Sequence, residues 1–161
     1  MKIKKLFLIG PIAALATSGF AASTGTLNLS GVVAVVNDIS VTANAQASTL
    51  DIVGGETNLT VATAQESSNN LAGYTIQLYS NNGGELQNGS DASKKTGYQL
   101  SYDGGSMITP PLSSSPATVK SVNSLSGLTT NTSDIKINVT PYATAPVGTY
   151  TDTVTLSIVA N

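Results

Sequence analysis

The 161-residue chain has no cysteine, no histidine and no tryptophan, and its two phenylalanines, Phe7 and Phe20, both fall in the first twenty residues. Without His or Cys there is no Ser-His-Asp or Cys-His partnership and no thiolate or imidazole metal site. Catalysis would have to rest on carboxylates, lysine or tyrosine. The nine carboxylates are scattered (Asp38, Asp51, Glu56, Glu66, Glu85, Asp91, Asp103, Asp134, Asp152), with none of the close spacing of an EF-hand loop. Asp103 lies in "YDGGS", where Asp-Gly is accounted for by a turn without a bound cation. These absences argue against an enzyme and against a cofactor or metal.

Positive charge is scarce too, and much of it sits at the start. Lys2, Lys4 and Lys5 precede the apolar run "LFLIGPIAALA", and "SGFA" or "GFAA" supplies small residues, the pattern of a secretory signal over residues 1–21. The apolar run is shorter than the roughly 20 residues a bilayer span needs. Cleavage near Ala22 would leave four lysines, no arginine and nine carboxylates, a net charge of −5, with no basic patch for nucleic acid. The remaining 140 of the 161 residues suit one domain. An exported domain without a disulfide must rely on core packing and strand pairing.

What the chain does have is Thr, Ser, Asn, Val and Gly in short alternating runs, which predict an all-β sandwich. Strands are expected at 26–36, 39–43, 58–64, 72–79, 98–102, 117–122, 134–140 and 149–159. Turn signals separate them: "VGGE", "SNNGG", "QNGSD", "DGG", "TPPLSSSP" and "TAPVG". The polar stretch 81–97, with Lys94 and Lys95, reads as a solvated loop. Five Asn-x-Ser/Thr triplets, at Asn28, Asn58, Asn88, Asn131 and Asn138, carry no weight in a chain so rich in these residues. The six tyrosines read as core and edge residues.

The two ends carry the sharpest pattern. Early in the chain Gly25, Leu27, Leu29, Gly31, Val33 and Val35 share one face of an extended segment, opposite Thr26, Asn28 and Ser30. At the other end Tyr150, Val154, Leu156 and Ile158 share a face opposite Thr149, Thr151, Thr153, Thr155 and Ser157. Asp152 interrupts that apolar face and is expected at a strand end or bulge.

With "STGTLNL" (23–29) and "GTYTDTVTLSI" (148–158) at its ends, the chain resembles the pilin subunits of chaperone–usher fimbriae, most closely the archaic branch that shares the spore coat protein U-like domain. "ISVTANA", "NLTVATA" and "AGYTIQLYSNNGG" agree in outline. The resemblance implies an immunoglobulin-like β-sandwich that lacks its last strand and is completed by donor-strand exchange. Residues 22–36 would be the donor extension and 37–161 the pilin domain. Gly25, Leu27, Leu29, Gly31, Val33 and Val35 would fill the groove of a neighbouring copy. Tyr150, Val154, Leu156 and Ile158 would form the acceptor groove and the edge that a periplasmic chaperone covers first. A glycine, Gly25 or Gly31, would sit where the groove wall approaches the inserted backbone.

The implied partners are other copies in a head-to-tail filament, a periplasmic chaperone and an outer-membrane usher. The implied role is a major or shaft subunit exported through the periplasm to the cell surface, supporting adhesion or biofilm formation. Such pilins commonly carry a disulfide between their first two strands, at positions that fall near Ile39 and Thr63 here; alpha-type colonisation-factor pilins also lack it. The alternative is a self-contained secreted sandwich that folds its own N-terminus into its own sheet and acts as a matrix or adhesive binding protein.

Overall fold

The computed structural model describes residues 23–161, so the signal segment 1–21 and its cleavage near Ala22 lie outside the described residues. Residues 23–32 carry no strand, and Leu27 and Leu29 are 82% and 85% exposed. The strand expected over 26–36 is not formed. A strand exists only as part of a ladder, and none of the described residues supplies one for this segment.

From Val33 onward the protein is all-β in two antiparallel sheets, a β-sandwich arrangement. The strands are β1 (Asn37–Ala43), β2 (Glu56–Ser68), β3 (Tyr74–Ser80), β4 (Glu85–Asn88), β5 (Asp91–Tyr102), β6 (Ala117–Val122), β7 (Thr129–Val139), β8 (Tyr150–Thr151) and β9 (Val154–Ala160). One sheet has the order β1-β2-β7-β5-β4-β8 and the other β6-β3-β9. A 3-10 turn, Ala45–Ser48, follows β1.

Alternation explains the core. On β3, Tyr74, Ile76 and Leu78 point inward and are buried, with Thr75 and Gln77 between them only partly covered. Ala62 and Ala64 of β2, Tyr98, Leu100 and Tyr102 of β5, and Ile135, Ile137 and Val139 of β7 meet them from the other sheet. With no Trp in the chain and both Phe residues in the first twenty, tyrosine does supply the large buried side chains.

The expected solvated loop at 81–97 is instead the β4–β5 hairpin. Asn88 pairs with Asp91 across Gly89 and Ser90, so "QNGSD" is a turn, but both flanks are strands. Most polar residues of that stretch face water, Asn88 and Thr96 being buried, and Lys95 bonds Glu85 across the hairpin at 2.7 Å. Strands β2 and β7 run further than the apolar pattern reaches, through the polar segments "QESS" and "TTNTS". The strand expected over 149–159 is broken at Asp152, so that Tyr150 and Thr151 pair with β4 while Val154–Ala160 pair with β3 in the other sheet.

The positions aligned with a family disulfide are also corrected. Ile39 lies opposite Glu66 and Thr63 opposite Thr42. Glu66 is three residues beyond Thr63, so Ile39 and Thr63 project to opposite faces, roughly 10 Å apart in register. A disulfide needs Cα atoms within about 7 Å.

A candidate strand-docking cleft

Both sheets end on a strand with one partner. Among the described residues β1 bonds only to β2 and β9 only to β3, while β1 and β9 lie side by side across the gap between the sheets with no ladder joining them. Each therefore presents a row of unpaired backbone groups.

Burial across these two pairings is lopsided. Ile76, Leu78 and Ser80 of β3 are no more than 1% exposed, yet their direct partners Ile158, Leu156 and Val154 on β9 are all left half-covered. The other edge repeats the pattern: Ala64 is 0% exposed, whereas its partner Val41 on β1 is 46% exposed. Directly opposed residues share a face, so the inner side chains of both edge strands face a core that stops short of them.

The space they leave is an apolar cleft of about 180 Å³. Val41 and Ala43 form one wall and Val154 and Leu156 the other, with Ala62, Leu100, Ile135 and Ile137 among the residues of its floor. Of the expected groove residues, Val154 and Leu156 line it. Ile158 packs against the core, further along β9. Tyr150 lies in an adjoining depression with Leu50, Ile52 and Asp152, its ring edge-on to Tyr142 at 6.4 Å.

Asp152 closes one end of the cleft and explains the break between β8 and β9. Its Oδ2 accepts from Ser80 Oγ and Tyr98 OH, each at 2.7 Å. Its Oδ1 accepts from the Asn82 amide at 3.1 Å. Burial first, and then the carboxylate beside it, push the Tyr98 hydroxyl pKa far above its usual value, so Tyr98 stays a donor. The expectation of a strand end at Asp152 is met, and its reason is this knot of donors.

A second polar cluster, unseen in the sequence, ties the sheets together near the C-terminal end of β2. Glu66, fully buried, accepts from Tyr74 OH at 2.6 Å, from Ser133 Oγ at 2.7 Å and from Tyr102 OH, with Lys120 Nζ at 3.1 Å. Lys120 also meets Asp103 at 2.8 Å. Burial pushes the Glu66 carboxyl up, but the bonds from Tyr102, Tyr74, Ser133 and Lys120 outweigh it and hold the group below its ordinary value. Burial pushes Lys120 down, and Asp103 and Glu66 together more than reverse this. Asp103 sits in the expected turn, at φ 52°, where its partner is Lys120. Spacing alone could not find this cluster, because its members come from five strands and one turn.

The expected donor residues are exposed, Val33 and Val35 included, and a Cβ added at Gly25 or Gly31 would meet no atom within 4 Å. Among the described residues no group of three or more Asp or Glu could hold a metal ion, and no helix is long and apolar enough to cross a membrane. No known family matches the chain, and it finds no match among curated proteins.

Proposed function

We propose that this chain is a structural subunit of a surface filament, a pilin of the chaperone–usher kind, in which an incomplete immunoglobulin-like sandwich is completed by a strand from the next copy. The observation that carries this reading is the lopsided burial at both edges: β1 and β9 hold their inner side chains against an apolar cleft between two unpaired strand edges. A strand laid there would bond both free edges and cover Val41, Val154 and Leu156 at once.

The alternation of Leu27, Leu29, Val33 and Val35 suits that place. Four such side chains would contribute roughly 6 to 12 kcal/mol at about 1.5 to 3 kcal/mol each, before ordering costs of about 1 to 2 kcal/mol per residue. Backbone bonds give the affinity and the alternate side chains fix the register. Because donor and acceptor surfaces differ, the contact is head-to-tail and does not close, so a filament grows. During export a periplasmic chaperone would cover the same edges, and an outer-membrane usher would exchange it for the next subunit. The role calls for no catalysis and no cofactor.

The test is Leu29→Asp. A carboxylate at that position would enter an apolar cleft without a partner. Wild-type chain co-expressed with a chaperone should give ladders of multimers on unboiled denaturing gels, and the variant should be exported yet give monomer alone. Ladders of normal length from Leu29→Asp would rule out this donor, and a wild-type chain that never leaves the monomer would favour the self-contained sandwich.

A further inference from the structure

The residues just before β1 are held by a single side chain. β1 pairs with β2 in a register that sets Asn37 against Ser68, so Val36 comes opposite Asn69. The next partner for Ala34 would be Leu71, but the chain is already turning there, through the bond from the Gly73 amide to the Asn70 carbonyl at 2.8 Å. Asn69 takes over the missing strand's part. Its Oδ1 accepts from the Val36 amide at 2.8 Å and its Nδ2 donates to the Ala34 carbonyl at 2.7 Å. Its own amide donates to the Val36 carbonyl at 3.1 Å. One planar amide thus satisfies an N–H and a C=O two residues apart, as a ladder partner would.

This has a directional consequence. Asn37 lies at the same end of the sandwich as Ala160, and both border a depression with Asn69 and Asn70, while Ala43 and Val154 share the cleft at the other end. β1 and β9 therefore run antiparallel along the two sides of the cleft. For the whole alternating face, Leu27 through Val35, to enter the cleft of its own subunit, the chain would have to reverse between Val36 and Asn37. That reversal breaks the bonds to Ala34 and Val36.

We propose that Asn69 is a clamp that keeps Ala34–Val36 in line with β1 and so denies the N-terminal stretch the cleft of its own subunit, leaving the cleft of a second copy as its place to dock. The clamp stands on the bonds above; its consequence rests on the reading of the cleft as a strand-docking site.

The experiment is hydrogen exchange on the monomer fraction of the full chain, wild type against Asn69→Ala, with β2 and β7 amides reporting that the sandwich is intact. With the clamp removed, the Val36 amide should exchange about tenfold faster. The β9 edge amides, open in the wild type, should become protected, and deleting residues 23–32 from the variant should abolish that protection. Asn69→Asp keeps the acceptor for Val36 and loses the donor to Ala34, so it should give a smaller change of the same sign. If Val36 exchange is unchanged there is no clamp, and if Val36 loosens while β9 stays open the clamp does not govern docking. β9 amides already protected in wild-type monomer by its own stretch would also overturn the proposal. Multimer ladders are read separately: their absence from every preparation sinks the filament reading, while the Val36 and β9 amides still decide the clamp.

Discussion

Replacing Glu66 by glutamine keeps the side chain's shape and removes its charge at the centre of the inter-sheet cluster. Glu66 is fully buried and Lys120 is 17% exposed, so the pair is largely shielded from water. Removing one partner of a buried pair costs about 3 to 5 kcal/mol. The low end applies, because Lys120 keeps Asp103 at 2.8 Å. A loss of about 3 kcal/mol is a large share of the 5 to 15 kcal/mol typical of a domain. In a chain of this length it corresponds to a fall in Tm of roughly 6 to 12 °C.

Urea denaturation at pH 7 measures the loss, with the slope m unchanged. The pH dependence adds a second check. Glu66 is held below its ordinary value in the fold, so its stabilisation is present above the unfolded value, about 4.3, and is lost as pH falls through the folded one. The gap between wild type and Glu66→Gln should therefore close in acid. Lys120, Tyr74 and Tyr102 are raised, the tyrosines first by burial and then by Glu66, so their contribution is full below their unfolded values, about 10, and is lost as pH rises through the folded ones. A variant within about 0.5 kcal/mol of wild type at pH 7, the usual range of an ordinary surface substitution, would refute the reasoning. So would a gap that stays constant down to pH 3.

Two further substitutions probe other parts of the account. Gly73→Ala drives a Cβ into the Val122 carbonyl oxygen at φ +85°, so more than about 2 kcal/mol should be lost, read as a lower Tm and a lower soluble yield. Tyr98→Phe removes a bond to the Asp152 carboxylate, and should cost about 1.5 to 3 kcal/mol and speed exchange of the Asn82 amide, which bonds the same carboxylate.

The apolar half of the fold was readable because alternation reports burial directly. Tyr74, Ile76 and Leu78 announce β3, and β6 has the expected bounds of Ala117 and Val122. The polar half was hidden for one physical reason. Glu66, Ser68, Asn88 and Ser133 are buried but fully hydrogen-bonded, so inward positions of β2, β4 and β7 carry residues that a pattern reading assigns to loops. Val154 and Leu156 were legible as one wall of the cleft. The opposite wall was not, since Val41 looks like any strand residue until its half-exposure is set against the buried Ala64. Asn69 could not be found by pattern at all, because its bonds to Ala34 and Val36 span more than thirty residues of chain.

The central claim is that the cleft between β1 and β9 takes a strand from another copy. The most direct measurement is hydrogen exchange of the β9 amides in a chain carrying Leu29→Asp, which keeps its cleft but cannot donate. A synthetic peptide of residues 23–36 is then added. The account predicts β9 edge amides that exchange freely alone, become protected with the wild-type peptide, and stay open with the same peptide carrying Leu29→Asp. Edge amides already protected before any peptide is added, or indifferent to both peptides, would contradict it.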